Sequence, residues 1–100
     1  MNRYNITLHT PLGPRMGILQ IMKNGSRISG FLNILKQAKP IAGRIDPTGR
    51  CCFTGALVTL TREIPYQAEG RLTGDRLELS LTGKSNSYRM TGQLIEGDNI

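Results

Sequence analysis

Apolar and polar residues change places at each step through Leu77-Glu78-Leu79-Ser80-Leu81, the period of a half-buried β-strand. Looser alternation of the same kind runs through the segments on either side. Turn-forming residues interrupt it at short intervals: Thr10-Pro11-Leu12-Gly13-Pro14, Asn24-Gly25, Asp46-Pro47-Thr48-Gly49, Thr73-Gly74-Asp75 and Gly83-Lys84-Ser85-Asn86. Helices have little room between them. The one arguable helical stretch, Phe31 to Ala38, has no capping residues and is bracketed by Gly30 and Pro40, so it reads as strand followed by turn.

A weak internal repeat counts the strands. Gly, any residue, then Leu or Ile recurs at Gly17, Gly30, Gly43, Gly55, Gly70 and Gly92, with spacings of 13, 13, 12, 15 and 22. The long last gap accommodates Leu77–Leu81, and Tyr4–His9 adds a strand at the start, which makes eight. Glycine inside a strand weakens it unless the sheet bends sharply or backbones approach closely there, as they do when a small sheet curls on itself. Closure also removes the exposed sheet edges. The pattern therefore predicts an all-β, single-domain antiparallel eight-stranded meander closing into a small up-and-down β-barrel. The domain spans residues 1–100, with its core at about 4–95 and a short flexible tail at 97–100.

The repeat register predicts an interior made of Tyr4, Ile6 and Leu8; Leu19 and Ile21; Ile28, Leu32 and Ile34; Ile41 and Ile45; Phe53 and Leu57; Ile64, Tyr66, Ala68 and Leu72; Leu77, Leu79 and Leu81; and Tyr88, Met90 and Leu94. Alternate positions in the later strands are mostly polar. Strands three and five depart from this, placing Phe31 and Leu35, and Cys52, Ala56, Val58 and Leu60, outward unless a bulge shifts the register. An exposed apolar row marks an interface, so Phe31, Leu35, Ala56, Val58 and Leu60 are candidates for contact between copies in a homo-oligomer.

Composition narrows the chemistry. In 100 residues there are 38% hydrophobic and 20% charged side chains, enough apolar surface for one core and too little chain for two. Five aromatics without Trp, one His and two adjacent Cys leave few groups from which to build a metal or nucleophilic centre. His9 has no partner placed by any motif, and Glu63 and Glu69 lie about 20 Å apart along a strand, too far for an acid/base pair. Asp46 and Asp75 fall in turns, where Asp serves the backbone. No phosphate-binding glycine loop, zinc spacing or nucleophile elbow is present, so no enzyme activity, cofactor or metal is expected.

The net charge of +6 is uneven: residues 1–50 carry eight cations against Asp46 alone, the remainder five against six carboxylates. Arg15, Lys23, Arg27, Lys36, Lys39 and Arg44, with Phe31 as a stacking platform, are candidates for nucleic acid or another polyanion. Cys51 and Cys52 point to opposite faces of a strand, and a bond between neighbours would be strained, so both are expected free. With no apolar leader after Arg3 and no spanning segment, the expected location is cytoplasmic, with no membrane partner.

An eight-stranded meander with turn glycines and recurrent Gly-x-Leu segments resembles the small up-and-down barrels of the calycin group, avidin-like and lipocalin-like, over roughly Tyr4 to Ile95. The resemblance implies the barrel fold and binding of a small molecule at its mouth. It carries over no site residue, because avidin-like sites lean on tryptophans and lipocalins on a Gly-x-Trp signature, and this chain has no Trp. The residues themselves nominate Tyr4, Phe53, Tyr66, Tyr88 and Met90 as lining the barrel interior or mouth for a small apolar ligand, with Tyr4, Tyr66 and Tyr88 ringing the opening. The leading expectation is thus a non-catalytic module that binds a small apolar molecule or self-associates; polyanion binding is the alternative.

Overall fold

Eight of the alternating segments are strands. A computed structural model, which describes residues 1–59, 61–84 and 86–97, contains β1 (Asn2–Thr10), β2 (Gly13–Asn24), β3 (Arg27–Ile34), β4 (Gln37–Ile45), β5 (Arg50–Val58), β6 (Glu63–Thr73), β7 (Arg76–Thr82) and β8 (Ser87–Glu96). Each pairs antiparallel with the next, and Arg3–His9 of β1 pairs with Arg89–Glu96 of β8, which closes an all-β barrel. Leu60 and the tail at 98–100 lie outside the described residues.

Period-two alternation decides which face each residue takes, and closure turns one face into a core. Every residue predicted to face inward is buried or packs against the buried cluster, Ile45, Ile64, Leu72, Tyr88 and Leu94 being the partly buried ones. Cys51 joins the core while Cys52 faces solvent, and both thiols are free. Among the described residues no polar or charged side chain is buried by the same measure, apart from the tyrosine hydroxyls. The outward placement of strands three and five also holds: Phe31 is 50% exposed, Cys52 is exposed, and Ala56 and Val58 are half-buried. Leu35 differs from expectation. It lies in the β3–β4 turn and not on the strand.

That turn lacks the residues that usually make one. Ile34 pairs with Gln37 across a two-residue loop, and Leu35 and Lys36 both take positive φ, 56° and 63°. Such a hairpin loop favours Asn-Gly, because a side chain in the left-handed region crowds its own backbone. Replacing both, Leu35→Asn with Lys36→Gly, is expected to stabilise the barrel by about 1–2 kcal/mol. Urea denaturation of the double variant checks this; unchanged or lowered stability would show that the two side chains make compensating contacts. The β4–β5 turn is held conventionally: Asp46 Oδ1 accepts hydrogen bonds from the Thr48 hydroxyl (2.6 Å), Thr48 N–H (2.8 Å) and Arg50 N–H (3.1 Å). The Thr48 hydroxyl foremost, and these N–H groups with it, hold the Asp46 carboxyl below its ordinary range.

Candidate functional site

The barrel wall is not uniformly zipped. β4 and β5 pair only over Ala42–Ile45 against Cys51–Thr54. Toward the turn that follows β3, residues 37–41 of β4 and 55–58 of β5 have no partner across this seam, although each pairs with its other neighbour. Two residues explain why the ladder stops. Pro40 supplies no N–H, which restricts it to strand edges. Lys39, opposite the buried Leu32 and only half-buried, is a cation on the inner face, a device that blunts edge pairing.

Tyr66 spans the inside of the open seam. It pairs with Gly55 on β5, and its ring meets Phe53 edge-on at 6.3 Å between centroids with planes 78° apart. A Cβ added at Gly55 would lie 2.6 Å from the Tyr66 hydroxyl and 3.2 Å from Ile41 Cγ2, so the hydroxyl lies against Gly55, where the unpaired stretch of β5 begins. Glycine at 55 is what allows the phenol to lie there. The hydroxyl is buried and has no hydrogen-bond partner. Burial pushes its pKa up to about 12, so it is a neutral group able to donate or accept. A buried polar atom left unpaired costs about 1–3 kcal/mol.

Two recesses meet at this residue. A shallow groove of about 580 Å³ runs along the seam, lined by Pro40, Ile41, Gly55, Pro65, Tyr66 and Gly83 among others. A smaller one of about 230 Å³ lies at the barrel mouth, between Leu57, Ile64, Tyr66, Leu81 and Tyr88, with Arg62, Glu63 and Lys84 at its rim. The other ligand candidates sit elsewhere. Tyr4, Phe53 and Met90 are packed in the core, 0–2% exposed, and line neither recess. The tyrosines do not ring one opening: antiparallel order puts Tyr66 and Tyr88 near the ends of β6 and β8 that adjoin this mouth, whereas Tyr4 starts β1 at the opposite end.

The charged candidates divide in the same way. Arg15, Lys36 and Lys39 adjoin the turns at the mouth end, while Lys23, Arg27 and Arg44 adjoin the β2–β3 and β4–β5 turns at the other. In a molecule 39 Å in its longest dimension they do not form one patch. Arg44 lines a third recess, of about 990 Å³, with Arg50 and Arg71 but also Asp46, Glu69 and Glu78, which gives it mixed charge. The interface candidates Phe31, Ala56 and Val58 lie on the outer face on either side of β4, with Phe31 opposite Pro40.

Reactive groups are sparse around these recesses. Exposed His9 Nε2 and the hydroxyl of half-buried Thr91 are 3.1 Å apart. Burial, with smaller contributions from Cys52 and Asp46, pushes the Cys51 thiol up to about 11 and leaves it unreactive at neutral pH. Among the described residues no three His, Cys, Asp or Glu side chains converge on a metal-sized site, and no helix is long and apolar enough to cross a membrane. Neither the open seam nor the role of the Tyr66 hydroxyl was named from the pattern; Pro40 within a strand was the signal available. No protein-family model matches the chain, and no curated protein matches it in sequence.

Proposed function

We propose that this barrel is a non-catalytic binding module for a small, largely apolar and uncharged molecule, held where the open β4–β5 seam meets the mouth. The observation that carries the reading is Tyr66, which lines both apolar-walled recesses and whose hydroxyl is buried without a partner. Small-molecule sites have this composition, mostly apolar wall with a few polar groups that fix orientation. A neutral phenol suits a carbonyl, amide or ether; no cation lines the seam groove, and Arg62 and Lys84 stand only at the rim of the mouth, so a carboxylate in the groove would lose its hydration without compensation. The architectural resemblance to calycin-like barrels supports binding at the mouth. The packed interior does not favour a ligand deep in the barrel.

Tyr66→Phe tests this because it removes the hydroxyl and keeps the ring. In native mass spectrometry against a panel of small apolar amides and ketones, the wild-type protein is expected to retain ligands that the variant holds about 5–10-fold more weakly, the worth of one hydrogen bond. The unliganded variant should be more stable by about 1 kcal/mol, since the unpaired group is gone. Equal retention by both proteins, or none by either, would exclude the site. Half-exposed Phe31 favours self-association as a second reading; sedimentation showing a monomer at high concentration would remove it.

A further inference from the structure

Because the strands alternate in direction, the turns after β1, β3, β5 and β7 all project from one end of the barrel. Among the described residues, two of them carry leucine at the tip. Leu12 is 85% exposed, the highest value of any large hydrophobic described, and Leu35 is 37% exposed, with Met16 at 76% on β2 close behind. Leu35 is also held at positive φ, a place where Asn or Gly costs less. Single exposed apolar residues are ordinary on a protein surface. Leucines at two tips of the same end, one of them in a backbone conformation that disfavours it, are a different arrangement.

The same end is basic. Arg15, Lys36, Lys39, Arg62 and Lys84 lie in its turns or within three residues of them, and among the described residues none has an ion-pair partner. Arg89, at the same level, is paired with Glu78 at 3.3 Å. Glu63 is the single carboxylate in these turns or beside them. Each tip leucine has a cation within three positions, Arg15 after Leu12 and Lys36 after Leu35. Apolar tips ringed by Lys and Arg fit the boundary of an anionic bilayer, where apolar groups enter the acyl region and cations stay with the headgroups. Nucleic acid is a poorer match, since stacking along a strand needs several aromatic faces, and among the described residues near this end Tyr66 and Tyr88 turn into the mouth, which leaves Phe31 alone on the outer face. A barrel that spans is also a poorer match, since its outward face must be apolar and here that face carries Glu69, Arg71, Glu78 and Arg89.

We propose that the protein docks end-on to anionic membrane surfaces, inserting Leu12 and Leu35 and laying Arg15, Lys36, Arg62 and Lys84 against the headgroups. The proposal stands apart from the Tyr66 site, and Tyr66→Phe should bind membranes like the wild type.

Vesicle co-sedimentation of the full chain decides it, using phosphatidylcholine vesicles with and without about one-third phosphatidylserine. Binding is expected only to the anionic vesicles, and should fall when salt rises from about 0.1 M to 1 M and the screening length shrinks from about 10 to 3 Å. Leu12→Ser with Leu35→Asn should weaken it at least tenfold while the fold is retained, as thermal unfolding reports. Lys36→Glu with Lys84→Glu should weaken it at least as much, each cation near such a surface being worth about fivefold. Lys23→Glu with Arg27→Glu makes the same charge change at the opposite end and should alter binding less than twofold. No binding to anionic vesicles would overturn the proposal, as would an unaffected leucine variant, an equal loss in the opposite-end control, or binding of a single-stranded oligonucleotide in place of vesicles.

Discussion

Gly43→Ala is expected to cost about 3 kcal/mol or more, at the upper end of what a single added methyl does in a packed interior. The added carbon would lie 1.9 Å from the Cys52 carbonyl oxygen and 2.5 Å from Phe53 Cα, both backbone positions that cannot swing away. Relief requires β4 to move off β5, and those strands are joined over only four residue pairs, Ala42–Ile45 with Cys51–Thr54. The methyl therefore strikes the short ladder that completes the circle next to the open seam. For a domain of this size the loss corresponds to roughly 12–24 °C in Tm. Amides of 42–45 should lose exchange protection before those of β1 and β8. Gly83→Ala is the control: the nearest atom to its added carbon is 3.5 Å away, an ordinary contact, so its stability should stay within about 0.5 kcal/mol of wild type. Urea titration of both variants is the measurement; a Gly43→Ala loss below about 1 kcal/mol would mean that the seam is looser than described.

Stability is expected to fall steeply on the alkaline side. Burial raises Cys51 from 9.0 to about 11 and Tyr66 from 10.0 to about 12. Both groups therefore hold their protons more tightly folded than unfolded, the unfolded chain binds fewer protons at high pH, and stability declines as pH rises. The contribution is whole below about pH 9, is lost between 9 and 11 for Cys51, and between 10 and 12 for Tyr66. Two pH units correspond to about 2.7 kcal/mol, which residual contact with water reduces to roughly 2 for each group, so together about 4 kcal/mol disappears by pH 12, a large share of the 5–15 kcal/mol typical of a domain. Unfolding free energies measured by urea titration from pH 7 to 12 check the slope. Tyr66→Phe should flatten the upper part of the curve and Cys51→Ala the lower part, whatever each does to stability at pH 7. A wild-type curve that stays level to pH 11 would show that Cys51 is not shielded from water.

The pattern was most informative where local chemistry acts alone. Leu77, Leu79 and Leu81 alternate with Glu78 and Ser80, and they are buried and exposed in turn. Cys51 and Cys52 separate to opposite faces because neighbours on a strand must. Turns marked by Gly25, Gly49 and Gly74 were visible because positive φ selects glycine. A turn was expected within Phe31–Ala38, but not its place at Leu35-Lys36, since nothing about those residue types favours it; hairpin pairing on both sides imposes the conformation. The connection between Val58 and Glu63 escaped for the same reason, having no Gly, Pro or Asn to announce it.

Candidate sites were less legible than the fold. The five ligand candidates share an inward face, which alternation reveals, but depth within the barrel separates them: Tyr4, Phe53 and Met90 are core, and Tyr66 and Tyr88 reach the mouth. Cutting the chain at residue 50 assigned the positive charge to its first half. Folding reassigns much of it to one end, because each hairpin returns the chain and brings Arg15, Lys36, Arg62 and Lys84 level with one another.

Alternation and turn spacing were enough to establish the inner and outer faces, the eight strands and the closed barrel, because these follow from a two-residue period and from the φ that each turn demands. The open seam, the stranded Tyr66 hydroxyl and the basic, leucine-tipped end came from the folded molecule alone. All three depend on which distant residues become neighbours, and that is a matter of how far each strand pair stays in register and where its ladder stops, which no local period encodes.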